Sequence, residues 1–190
     1  MNDLNIQFNL SFEKDPEEEL KEIVAQLPST LIAAMGQMGE EMKSTLRRHV
    51  ISDVYGVYTP TEYIRRSENE GMGTPLSDMD ANAHVYEPRA EARGVEVRGL
   101  LNFTYKPSGD HADSSINPSP LDGDALIGRI ETGAGYATKY HQARPFWKNF
   151  VNEVIDDDLL ARILDSELQM AGYELDELSH TEREATDGEY

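Results

Sequence analysis

Apolar and polar residues alternate strictly at the start of the chain. The apolar positions are Leu4, Ile6, Phe8, Leu10 and Phe12. Because successive side chains of a strand point to opposite faces, this period of two predicts a half-buried β-strand. Lys14-Asp15-Pro16 ends the pattern. The glutamates at 17–19 then favour a helix start, since negative charge stabilises a helix N-terminus.

The next segment changes to helical spacing. Its apolar positions recur every three or four residues and are Leu20, Ile23, Val24, Leu27, Leu31, Met35, Met38, Met42 and Leu46. This spacing predicts a long amphipathic helix that ends near Ser52. A kink or a split is expected at Pro28, because proline lacks a backbone N–H. The methionines are expected in the core, where Met fills irregular gaps.

The middle of the chain combines strands with loops. Residues 95–105 predict one long strand with a bulge or bend at Gly99, and residues 84–87 could pair with it. Polar stretches rich in Gly, Pro, Ser and Asp predict long loops at about 66–82 and 107–123.

The last third favours helices. Residues 125–132 fit either a third strand or a short helix, because so short an apolar run does not separate the two periods. Pro145 suits a first helical turn, and Gly172 suits a C-terminal stop. Residues 173–190 have little periodicity and much charge, which predicts a solvated acidic tail.

These elements predict an α+β protein. A long N-terminal helix and a C-terminal helix would pack on a small, mainly antiparallel sheet with long loops. With 190 residues, the chain is expected to form a single domain over 1–172, followed by the acidic tail at 173–190.

Charge narrows the possible functions. The formal net charge is -19, and residues 151–190 hold 13 acidic against two basic residues, a net -11. Such an acidic chain is not expected to bind nucleic acid through a basic surface. No apolar run reaches the roughly 20 residues that span a bilayer. The N-terminus lacks the features of a secretory signal, so we expect synthesis in the cytosol and no membrane partner.

Candidate chemistry is sparse. The chain has no cysteine, which excludes disulfides and thiolate ligands. Its five histidines show no metal-ligand spacing, and no phosphate-binding loop or nucleophile elbow occurs. We therefore expect no catalytic residues, no cofactor and no metal.

Two short stretches are candidates for an interface. One follows the first helix and contains Tyr58, Tyr63 and Arg65; the other contains Arg144, Phe146 and Trp147. Tyr, Trp and Arg are enriched in binding hot spots. The alternative is that these side chains only close the core of the protomer. Phe146 and Trp147 point about 100° apart on a helix, so one ring should anchor the helix while the other lies near its rim.

The order of these features resembles a known family. An amphipathic helix is followed by Tyr58-x-Pro60-x-x-Tyr63-x-Arg65, by strands, by Ile130-Glu131 and by Ala143-Arg144-Pro145-Phe146-Trp147. Across residues 17–157 this order resembles the neck or tail-completion proteins, also described as minor tail components, of long-tailed double-stranded DNA phages.

The resemblance implies a structural virion protein at the head–tail junction, made in the host cytoplasm. It implies a homo-oligomeric ring of six copies that contacts the head connector and the tail-tube or tail-terminator proteins. DNA would pass without specific binding, and a negative wall would repel its phosphates. Two alternatives remain, a tail-terminator or head-closure ring and an acidic DNA mimic that inhibits a DNA-binding protein.

Overall fold

A computed structural model describes eight stretches of the chain. These are residues 2–13, 17–57, 79–91, 94–106, 123–133, 142–156, 159–172 and 179–182. The helices are α1 (Glu17–His49), α2 (Gly123–Thr132), α3 (Phe146–Asp156) and α4 (Leu159–Met170), and a π-helical segment (Val50–Tyr55) continues α1. The strands are β1 (Asn2–Glu13), β2 (Met79–Val85), β3 (Arg89–Glu91), β4 (Gly94–Tyr105) and β5 (Ser179–Glu182).

The strands form one five-stranded sheet, which confirms the predicted α+β class. Its order is β2-β4-β1-β5, and β3 also pairs with β4. The pairings of β1 with β5 and of β3 with β4 are antiparallel. None of the helices in the described stretches is both long and apolar enough to cross a bilayer.

The chain divides into two compact units, each built from separate stretches. Unit 1 contains residues 1–2, 42–80 and 104–157, and unit 2 contains residues 3–41, 81–103 and 158–190. Both have buried apolar side chains. Those of unit 1 include Met42, Leu46, Tyr105 and Phe150, and those of unit 2 include Leu4, Phe8, Leu31 and Leu101.

The N-terminal patterns are confirmed. In β1, Leu4, Phe8 and Leu10 are buried, as the alternation predicts, whereas Ile6 is only half-buried. The whole methionine stripe of α1 is also buried, with Met35, Met38 and Met42 each 0% exposed. These methionines are therefore core residues.

Pro28 does not split α1. The helix runs continuously through it for 33 residues. The hydroxyls of Ser29 and Thr30 donate to the Gln26 carbonyl, at 2.6 and 3.4 Å. The carbonyl that loses its helical N–H partner through Pro28 is that of Val24, four residues earlier, so these two bonds strengthen the turn without replacing the missing one. The fully buried Leu27 anchors the same turn, so packing outweighs the local cost of the proline.

Within unit 2, α1 lies very close to the sheet at two glycines. A Cβ atom on Gly39 would lie 2.6 Å from the Cβ of Ala81 in β2. A Cβ on Gly99 of β4 would lie 3.1 Å from both Leu31 Cδ2 and Met35 Sδ. Strand β4 continues through Gly99, so this glycine makes room for α1 rather than for the predicted bulge.

Several predicted boundaries change. Residues 79–82 belong to β2 rather than to the loop at 66–82, and Gly123 begins α2 rather than ending the loop at 107–123. Residues 125–132 are helical, with Ile127 and Ile130 buried. Gly172, with φ +87°, follows α4 as predicted.

The segment predicted to be a tail contains a strand. Residues 179–182 form β5 and pair with Ile6–Asn9 of β1. Ser-His-Thr-Glu is too short and too polar to give a strand pattern, and its pairing depends on the backbone of β1. The domain boundary at Gly172 stays a prediction.

Two alanine substitutions on α1 test the close approach. Gly36 is exposed and an added Cβ there meets nothing within 4 Å. We expect Gly36→Ala to raise the free energy of unfolding by about 1 kcal/mol through helix propensity. Gly39→Ala should lower it by about 1–3 kcal/mol through overpacking against Ala81. Chemical denaturation measures both changes, and equal stabilisation by the two alanines would contradict the close approach.

Candidate functional site

The described candidate residues lie together at the start of α3, in unit 1. The Pro145 carbonyl accepts the first helical hydrogen bond, from the Asn149 N–H at 2.9 Å. The Arg144 N–H donates to the Ile130 carbonyl of α2 at 2.9 Å. Its guanidinium Nη1 donates to the Val54 carbonyl of the π-helical segment at 3.2 Å. The residues before α3 are thus tied to α2 and to the π-helical segment.

The first turn of α3 is capped by a side chain from α2. Glu131 Oε1 accepts a hydrogen bond from the Trp147 N–H at 2.5 Å. The same carboxylate accepts from the Lys148 N–H. The first amides of a helix have no partner inside the helix, so an acceptor at this position stabilises the start of α3.

The capping carboxylate is also desolvated. Burial raises the pKa of Glu131, and it outweighs the two backbone hydrogen bonds, which act in the opposite direction. The nearby Asp53 carboxylate raises this pKa further. Glu131 therefore keeps its capping position although its charged form is disfavoured there.

Phe146 and Trp147 divide their roles as their adjacent positions predict. Phe146 is fully buried and lies edge-on to Tyr105, with ring centroids 6.5 Å apart. Trp147 is only partly buried, and its ring is stacked on Tyr105 at 6.2 Å with an interplanar angle of 9°. It also contacts Phe150 at 5.2 Å. Trp147 therefore presents an aromatic surface whose orientation is fixed by its neighbours.

A histidine joins the end of α1 to α3. His49 Nδ1 lies 3.0 Å from Asp53 Oδ2, and Nε2 lies 2.8 Å from Glu153 Oε2. A carboxylate only accepts hydrogen bonds, so each contact becomes a hydrogen bond when that ring nitrogen carries a proton. Arg48 pairs with Glu153 from the preceding position on α1.

The two carboxylates of this network are held in their charged form. Burial alone would raise the pKa of Asp53, but hydrogen bonds from Ser52, Asn149 and His49 outweigh it and lower the pKa. Burial likewise opposes the lowering of the Glu153 pKa, which follows from His49 and Arg48. Asn149 Nδ2 donates to Asp53 at 3.0 Å, so α3 contacts the network twice.

The network has the geometry of a structural link. The two ring nitrogens of His49 point away from each other, so Asp53 and Glu153 do not converge on one point. Across the described stretches, no group of three or more His, Asp or Glu side chains is placed to hold a metal ion. Asp53 belongs to the π-helical segment, whose wide turn is closed by the Gly56 N–H and the Ile51 carbonyl at 2.8 Å.

The structure brings Arg144, Phe146 and Trp147 together. The other three candidates, Tyr58, Tyr63 and Arg65, lie outside the described residues.

Sequence reasoning missed the cap and the histidine link. The spacing of His49 and Asp53, four residues apart, was a usable signal on a helix. Nothing local indicates Glu153, which lies 104 residues beyond His49.

Comparison with known proteins places this α+β chain in a phage-derived group of proteins. It belongs to the YomN family, whose profile matches residues 19–170. This range contains α1, the histidine link and the start of α3. No curated protein and no solved structure matches the chain. The phage origin agrees with the resemblance, which also implied a phage protein.

Two substitutions of Glu131 separate its capping role from its charge. Glu131→Ala leaves the Trp147 and Lys148 amides without this acceptor, and we expect a loss of about 1–2 kcal/mol in the free energy of unfolding. Glu131→Gln keeps an oxygen acceptor and removes the desolvated charge, so its stability should stay within about 0.5 kcal/mol of the wild type. Denaturant titration at pH 7 measures both, and equal losses would contradict the cap.

Acid should weaken the histidine link. Asp53 and Glu153 have lowered pKa values in the folded chain, so they stabilise it above their ordinary values of 3.8 and 4.5. That stabilisation is lost as the pH falls through the folded-state values. At pH 7, we expect Asp53→Asn with Glu153→Gln to lower the thermal midpoint by about 3–6 °C.

The difference between variant and wild type should shrink as the pH falls below about 4. Glu131 contributes to the stability of the folded chain with the opposite sign. Because its folded-state pKa is raised, its contribution increases as the pH falls. Thermal melts of the variant and the wild type from pH 3 to 7 measure the difference between their midpoints. A constant difference over this range would show that the two carboxylates do not act through their charge.

Proposed function

We propose that this chain is a structural protein of a phage particle. It would form a ring of six copies at the head–tail junction, join the head connector to the tail and let DNA pass. Its direct partners would be other copies of the chain and the connector, tail-tube or tail-terminator proteins. The observation that carries this proposal is Trp147, which is partly exposed and rigidly oriented at the start of α3.

Trp147 has the properties of an interface anchor. Its backbone is fixed by the Glu131 cap and its ring by stacking on Tyr105. A side chain that is already ordered loses little conformational entropy when a partner covers it. Arg144 lies three residues before it and is partly exposed, and Trp and Arg are both common in hot spots.

Membership of a phage-derived family supports the proposal that this chain acts in a phage particle. The charge is compatible with a conduit, because a wall that repels phosphates does not retain DNA. The role needs no catalytic group. Trp147, oriented by Glu131 and Tyr105, can join this chain to a partner through shape and contact alone.

Substitution of Trp147 tests the proposal in the assembling phage. We expect Trp147→Ala to reduce the fraction of heads joined to tails by about tenfold or more, because a hot-spot anchor contributes about 2 kcal/mol or more and about 1.4 kcal/mol is already tenfold. Tyr86→Ala is the matched control, since Tyr86 is 46% exposed but belongs to unit 2. Electron microscopy of negatively stained lysates counts joined particles, free heads and free tails.

Two further measurements keep the result interpretable. Circular dichroism and a thermal melt show whether each variant folds, and Arg144→Ala tests the surface without removing a ring of the cluster. Joined, infectious particles from a phage that lacks the gene would overturn the proposal. Location of the chain in the imaged particle as the ring that ends the tail tube, or as the ring that closes the head, would instead favour the tail-terminator or the head-closure role.

A further inference from the structure

The outer edge of β1 depends on β5 for its cover. Strand β1 has 12 residues, and β5 pairs with only four of them, Ile6–Asn9. The other edge of β1 is occupied by β4. Without β5, β1 would be a long edge strand with alternating large apolar residues. Such an edge readily pairs with another chain.

β5 is held by a short pairing. It comprises Ser179–Glu182 and contributes four register partners, from Ile6↔Glu182 to Asn9↔Ser179. Helix α4 ends at Met170 and is followed by Gly172, which has a positive φ. The six residues 173–178 connect Gly172 to β5. Six residues span at most about 20–22 Å. β5 can therefore reach another β1 only in a copy that lies directly alongside.

The β1 edge can pair with β5 of its own copy or with β5 of a neighbouring copy. An antiparallel pairing made by β5 of a neighbour has the same backbone hydrogen bonds as the pairing within one chain. Charge opposes the encounter of two copies, because each carries -19. Salt screens this repulsion, since exposed charges interact over only about 10 Å at 0.1 M ionic strength.

We propose that the β1 edge is a strand-exchange surface whose partner is β5 of a second copy of this chain. In an isolated copy, β5 covers its own β1. When copies are brought side by side, β5 of one adds to β1 of the next. This interface is independent of the head–tail role and of the surface around Trp147.

Engineered cysteines can detect the exchange directly, because the chain has none of its own. Gln7 and Thr181 are register partners. Cα atoms of such partners lie about 4.5–5.5 Å apart, within the range of a disulfide. Two full-length single variants, Gln7→Cys and Thr181→Cys, are mixed and oxidised mildly. A disulfide between them can form in register only when β5 of one copy pairs with β1 of the other.

One of the two variants carries a tag that increases its mass, so that the mixed dimer runs between the two homodimers on a non-reducing gel. We expect this band, with a yield that rises with protein concentration and with salt. The matched control replaces Thr181→Cys with Glu184→Cys, two residues beyond β5, and should give at least about fivefold less mixed dimer. A single chain carrying both Gln7→Cys and Thr181→Cys provides the reference for pairing within one copy.

The outcomes separate clearly. Mixed dimer above the control supports exchange. Closure of the double variant within one chain, combined with mixed dimer only at the control level at every concentration, overturns it. Failure of the double variant to close, with folding intact by circular dichroism, overturns the pairing on which the proposal rests.

Discussion

The start of α3 is the constraint on which the arrangement of unit 1 depends. The first amides of this helix need acceptors from outside it, and Pro145 leaves no local side chain to provide one. Glu131 of α2 supplies the acceptor and thereby fixes where α3 begins. Once that point is fixed, Phe146 must enter the core and Trp147 must lie at its rim. The burial of a carboxylate against its preference is the cost of this fixed start.

The histidine link holds the same helix from a second side. His49 and Arg48 at the end of α1 bind Glu153, while Asn149 and Asp53 join α3 to the π-helical segment. The link lies one to two turns beyond the Glu131 cap. Together the two sets of contacts determine both the position and the rotation of α3, and a surface that depends on one oriented aromatic ring requires both.

Periodic patterns predicted much of the fold, because burial repeats along a strand or a helix. The alternation in β1, the methionine stripe of α1 and the Gly172 stop are examples. The division between Phe146 and Trp147 also followed from their adjacency alone. The cap and the link were beyond such reasoning, since Glu131 lies 16 residues before Trp147 and Glu153 lies 104 beyond His49. β5 was missed because a four-residue polar strand takes its structure from its partner.

The division into two units has a consequence for synthesis. Both units are assembled from interleaved stretches, so the chain passes from one to the other at five points, after residues 2, 41, 80, 103 and 157. Unit 1 lacks part of its core until residue 157 has emerged from the ribosome. Unit 2 is incomplete until residues after 157 have also emerged. Domains made of one continuous stretch can fold in turn during translation. This chain must instead complete both units late, so partly made chains expose apolar surface for most of the translation time.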